Sequence, residues 1–229
     1  MPVYNTVLLD IDPKETRRYA GLRKAENFDE KLIEEACLEA RLLAKPRGIW
    51  QMYDYDAATQ TVLSDPPFSI IGEVIGKHLE KSEKVIILSA SVGDAIEEHV
   101  TKYFKDGRYA YSVLLDAAAT AAVEQIADTM EKAIEPKVAK EGYSMRWRFS
   151  PGYGDWPLEQ QPEMVRVAKS AQIGVNVSDA SMLVPRKSIT AIIGLVPQNN
   201  ETAPHTPNGC AACSKIDCPS RKDVPKPSV

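Results

Sequence analysis

A chain of 229 residues, 44% hydrophobic and 26% charged, can bury a sizeable core as one large domain or two small ones. Its net charge of −4 and its pI near 5.5, with Lys and Arg dispersed among acids, argue against nucleic acid as a partner. The start, Met1 to Thr6, has no basic segment leading into an apolar one, and no apolar run is long enough to cross a bilayer, so we expect a cytoplasmic protein with no membrane partner.

Asp29 to Ala44 places Leu32, Ile33, Ala36, Ala40 and Leu43 on one stripe, which predicts an amphipathic helix with Cys37 packed at the stripe's edge. Ile71, Val74, Ile75, His78 and Leu79 repeat the helical spacing over Ser69 to Leu79. The run Val85 to Leu88 reads as a buried strand. Ser89 to Gly93 joins it to a helix opened by Asp94, a junction that could bind an anion but carries only one glycine; Gly107 ends this helix. Tyr109 to Lys140 forms the longest helical pattern, alanine-rich from Asp116 to Ala122, with Pro136 expected to kink or restart it. Small side chains there let a backbone or a ligand come close.

Ser144 to Phe149 alternates Met145, Trp147 and Phe149 against Arg146 and Arg148, a strand with its basic residues on one face. Two prolines and two glycines then break regular structure over Ser150 to Pro157. A helix from Glu163 to Ser170 precedes three short strands, Ile173 to Val177, Ser181 to Val184 and Ile189 to Val196, with Lys187 and Ser188 read as a hairpin between the last two. The expected fold is α+β, long helices packed around an antiparallel sheet over residues 1–196, followed by a Pro-rich tail over 197–229.

Within that tail Cys210, Cys213 and Cys218 make a CxxC with a third nearby thiol. In a reducing compartment such crowding suggests one metal centre, either zinc with His205 as a fourth ligand or an iron-sulfur cluster. Free thiols in an irregular segment are the alternative.

The chemistry concentrates at Arg148-Phe149-Ser150-Pro151-Gly152-Tyr153, where a strand delivers an arginine and at once turns through Pro-Gly. Arg148 can form a planar two-point bond to a carboxylate, and Gly152 allows close backbone approach. An ordinary surface corner with a solvated charge has the same composition. The run is similar, however, to the Arg-x-x-x-Gly-Tyr signature of the S-adenosylmethionine-binding activation domain of cobalamin-dependent methionine synthase. It resembles most the free-standing bacterial relatives of that domain, with their Arg-Phe-Ser-Pro-Gly-Tyr-Gly-Asp run, Pro-x-Lys-Ser motif (here Pro185 to Ser188) and cysteine-bearing tail. The likeness extends from about Tyr19 to Cys218.

The resemblance implies roles. Arg148 would hold the carboxylate of S-adenosylmethionine, the backbone at Ser150 and Gly152 would line the ligand, and Tyr153 would face a corrinoid. An acid on the preceding helix, Asp128 or Glu124 one turn earlier, would meet the ligand's amino group. No counterpart of the family's N-terminal acidic contact aligns here, and Ile189 and Thr190 stand near its C-terminal tyrosine contact. None of His78, His99 and His205 lies in the Asp-x-His-x-x-Gly setting of cobalamin-binding domains. The implied activity is therefore reductive reactivation of a partner, a corrinoid-bearing methionine synthase or methyltransferase subunit, by methyl transfer from S-adenosylmethionine to its cobalamin, with a low-potential flavodoxin or ferredoxin as electron donor. A non-catalytic corrinoid-protein binding module and a metal-cluster electron-transfer subunit are the rivals.

Overall fold

A computed structural model describes residues 3–198 except 6, 23, 24 and 26. The expected α+β architecture is what it shows: six α-helices among the described residues and a six-stranded antiparallel sheet. The helices are α1 (Pro13–Tyr19), α2 (Glu30–Leu43), α3 (Glu73–Leu79), α4 (Ala95–Lys105), α5 (Tyr109–Lys140) and α6 (Gln161–Ala168). The strands are β1 (Arg47–Asp56), β2 (Thr61–Val62), β3 (Phe68–Ser69), β4 (Lys84–Ser91), β5 (Tyr143–Met145), β6 (Asn176–Val177), β7 (Leu183–Val184) and β8 (Ser188–Pro197). The main sheet runs β3-β2-β1-β4-β8-β5, and β6 pairs with β7 separately.

β4 and β8 are central and buried on both faces, so they read as continuous apolar runs instead of alternating ones. On one face Ile86, Leu88, Ala191, Ile193 and Leu195 pack against α2 and α5. On the other, Val85, Ile87 and Ile192 meet Ile75 and Leu79 of α3 and Met164, Val167 and Ala168 of α6. The alanine-rich stretch explains how α5 sits so deep: Ala117, Ala118, Ala119, Ala121 and Ala122 are all buried as α1, α2, α4 and the sheet close around it. A helix that is apolar over most of its circumference belongs inside a core. Gly48 on β1 completes the fit, since a side chain there would collide with Met130 of α5.

Several sequence expectations are corrected. α5 continues through Pro136, which is exposed near its last turns, without restarting. Ser69 is in a strand, and the next helix begins only at Glu73, after Gly72 takes a φ of 139°. The helix expected to reach Ser170 ends at Ala168 on a left-handed Lys169, Ser170 to Ile173 form a 3-10 turn, and the strand expected from Ile173 is confined to Asn176–Val177. β7 and β8 form no hairpin, because β7 pairs back to β6 while β8 inserts between β4 and β5. Asp94 stands at the start of α4, but its side chain makes no capping bond there. β1 and α1 have no counterpart among the expected elements.

The segment 144–149 is the correction that matters most for function. Met145 lies opposite Leu195, and Phe149 exchanges backbone hydrogen bonds with Ile192. Three residues, Arg146 to Arg148, therefore face two, Ile193 and Gly194. The extra residue is a β-bulge, and it reverses the side-chain phase. Met145 packs with the α5 side of the sheet, whereas Trp147 and Phe149 pack on the α3 side. Arg148 is thereby turned toward α5.

Candidate functional site

Arg148 is the centre of a charge cluster. Its side chain is only 20% exposed, and its Nη2 donates to Glu124 Oε2 at 3.0 Å and to Asp128 Oδ1 at 2.8 Å. Its Nη1 lies 2.8 Å from Glu131 Oε1. Glu124, Asp128 and Glu131 fall at i, i+4 and i+7, one stripe of α5 facing the bulge. Burial alone would lower the affinity of Arg148 for its proton, but the three carboxylates outweigh that and raise it. Glu131 is pushed up by burial despite the pull of Arg148, with Asp128 and Glu124 adding like-charge repulsion.

Tyr153 follows on the motif loop, 54% exposed, its ring 6.0 Å from that of Phe149. The partial desolvation of its phenol first, and then the negative charge of Glu124, raises it above the usual range. Tyr19 at the end of α1 is shifted upward by the same two causes in the same order. Two tyrosines from distant segments thus feel the charge of the acid that Arg148 holds.

The loop itself is tightly tied. Gly152 has φ +88°, and its amide donates to the Trp156 carbonyl at 2.9 Å; Tyr153 N donates to Ser150 O at 3.1 Å. The Ser150 hydroxyl donates to the Thr190 carbonyl at 2.8 Å, anchoring the loop to β8. Gly154 also has positive φ and passes close to Val74 of α3. Asp155 Oδ2 accepts from Glu73 N at 2.6 Å, and both its oxygens lie within reach of Val74 N, capping α3 from across the chain. Trp156 is buried, with its indole N–H donating to Gln160.

The sequence-expected residues Arg148, Glu124 and Asp128 are brought together, and Tyr153 lies within the electrostatic reach of Glu124. Ser150 and Gly152 belong to the same loop, but Ser150 presents its hydroxyl to β8. Glu131 and Tyr19 are the residues that sequence reading missed. Glu131 was visible as the next acid on the helical stripe, whereas nothing in the sequence tied Tyr19 to it.

Other expected features are accounted for locally. Lys187 lies in the bend that leads into β8, and its Nζ donates to Asp116 Oδ2 at 2.8 Å and to Thr120 Oγ1 at 2.9 Å, joining the start of β8 to α5. Ser91 Oγ, at the weak anion-binding junction, accepts from Gly93 N and pairs with Ser188 Oγ. His78 bonds the Trp147 carbonyl, His99 bonds Glu39, and Cys37 is buried against Thr16. Cys210, Cys213, Cys218 and His205 lie outside the described residues. Among the described residues, no group of three or more His, Cys, Asp or Glu is placed to hold a metal ion, and no helix is long and apolar enough to cross a membrane.

No protein-family model matches the chain, and no curated protein matches it. Among solved structures, a crystal structure of the MetH reactivation domain bound to AdoHcy is similar, with a TM-score of 0.56 over 89% of this chain and 81% of that one. The two share a fold. At 11% identity the likeness is one of architecture, and the residues of the site must carry any chemistry on their own terms.

Proposed function

We propose that this protein binds S-adenosylmethionine at the Arg148 cluster and delivers its methyl group to the reduced cobalt of a corrinoid carried by a partner, such as a methionine synthase or methyltransferase subunit. The observation that carries this reading is the pairing of Arg148 with Glu124 and Asp128 beside Tyr153, on a fold shared with a domain solved with AdoHcy. The residues fit the ligand's charges. With all three carboxylates ionised, the Arg148 cluster sums to two negative charges, and a ligand bearing an ammonium, a sulfonium and a carboxylate is a net cation. The guanidinium would bind the carboxylate and an α5 acid the ammonium. Gly152 and Ser150 would line the ligand and Tyr153 would lie toward the corrinoid.

In the proposed reaction a low-potential flavodoxin or ferredoxin gives one electron to the partner's cobalt(II), forming cobalt(I). The cobalt(I) electron pair attacks the sulfonium methyl carbon, and the sulfur–carbon bond pair returns to sulfur. Methylcobalt(III) remains on the partner and S-adenosylhomocysteine leaves. No general base is needed. The chain's contribution is to hold the methyl group in line with the cobalt, an orientation effect worth roughly 7–11 kcal/mol. Methylation also draws the uphill reduction forward.

The test is a calorimetric titration with S-adenosylmethionine. Wild type is expected to bind, and Arg148→Ala to bind more weakly by about 1.5–3 kcal/mol, the scale of a charged hydrogen bond. Equal affinities would remove Arg148 from the site, and no binding by wild type would refute the reading.

A further inference from the structure

The Arg148 cluster holds one more carboxylate than the proposed ligand calls for. Nη2 of Arg148 is doubly and directionally bonded by Glu124 and Asp128. Nη1 is different. It is buried and only 2.8 Å from Glu131 Oε1, yet neither atom makes an aligned hydrogen bond. Glu131 attracts Arg148 by charge without the directional component that Glu124 and Asp128 supply, because hydrogen bonding falls off steeply with angle. We propose that Glu131 is an internal stand-in for the ligand's carboxylate, occupying Nη1 of Arg148 in the free protein and yielding it when S-adenosylmethionine binds, so that it sets the site's selectivity for ligands that bear a carboxylate.

This inference rests on the S-adenosylmethionine reading above and adds the residue that a carboxylate must displace. Two features of the site make Glu131 the displaceable member. Its carboxyl is disfavoured as an anion, first by burial and then by Asp128 and Glu124 on its own helix, against which only Arg148 pulls. Arg148 stays oriented without it, since Nη2 remains fixed by the other two acids. An incoming carboxylate then meets a guanidinium already aimed, with one N–H of poor geometry to improve.

The experiment compares S-adenosylmethionine with its decarboxylated analogue, which keeps the sulfonium and ammonium and lacks only the carboxylate. Calorimetry on the full chain gives both dissociation constants for wild type, Glu131→Gln and Glu131→Ala. Removing the negative charge weakens attraction for S-adenosylmethionine, net +1, and more so for the analogue, net +2, but relieves competition only for the one with a carboxylate. S-adenosylmethionine itself is therefore expected to bind about tenfold more tightly to both variants, equivalent to about 1.4 kcal/mol, while the analogue binds more weakly. Unchanged or weaker binding of S-adenosylmethionine by the variants, with wild type binding it, overturns the role of Glu131 and leaves the site assignment standing. If wild type and both variants bind neither compound, the underlying reading falls and the inference with it.

Discussion

Gly152 shows how a single residue is constrained by its backbone before any ligand is considered. A β-carbon at this position would lie 3.7 Å from Leu158 Cδ1, an ordinary contact, so space is not what requires glycine. The φ of +88° is. A side chain in that region costs about 1–2 kcal/mol, and Gly152→Ala is expected to lower the unfolding free energy measured in urea by that amount. A variant as stable as wild type would mean that the loop does not depend on this conformation. Because Gly152 N is tied to Trp156 O, strain here would propagate to the turn that presents Tyr153.

At the scale of elements, the motif loop and α3 are one unit. α3 has seven residues and begins at a glycine with no side chain to cap it. A helix that short is unstable alone, since its nucleation cost is spread over too few hydrogen bonds. Asp155 supplies the cap from 82 positions away, accepting from Glu73 N, and Gln160 adds a bond from Ile71 N at 2.9 Å. Asp155→Ala should cost about 0.5–2 kcal/mol, the usual range for a lost N-cap, and speed amide hydrogen exchange at Glu73 and Val74. Exchange rates unchanged from wild type would show that the cap contributes nothing. The acid in the Gly-Tyr-Gly-Asp run thus has a structural task independent of any ligand.

Across the whole molecule, Glu39 binds three helices into one layer. From α2 it accepts from Tyr111 OH of α5 at 2.7 Å and from Tyr103 OH of α4 at 2.9 Å, and it meets His99 Nδ1 of α4 at 3.0 Å. Burial by itself would raise its carboxyl; the bonds from Tyr111, Tyr103 and His99 outweigh that and hold it below the ordinary glutamate value of 4.5. A depressed folded value means that the anion is favoured by folding. The resulting stability is fully present above pH 4.5 and is lost as the pH falls through the folded value. Glu39→Gln should therefore be less stable than wild type at neutral pH by about 1–3 kcal/mol, with the difference shrinking as the solution is acidified below 4.5. Urea unfolding of both proteins across the acid range measures it; a gap that does not change with pH would assign the loss to packing.

Much of this architecture is local and was legible in the residues. α2 and α5 were visible because apolar positions at helical spacing must share one face, and β4 and β8 because short apolar runs flanked by turns fit a buried strand. The run from Arg148 to Asp155 was visible as a strand breaking into a glycine-rich turn. What escaped was whatever depends on a neighbour. β1 mixes Trp50, Met52 and Tyr55 with Gln51, Asp54 and Asp56, and becomes a strand through its pairing with β4. The bulge opposite Ile193 and Gly194 exists only in the register of β5 and Phe149 against β8. The sequence by itself determined which residue types could meet a charged ligand. The tertiary structure alone decided that Arg148 turns toward α5 and meets Glu131 as well as Glu124 and Asp128, because one extra residue in a strand reverses the face of every side chain after it.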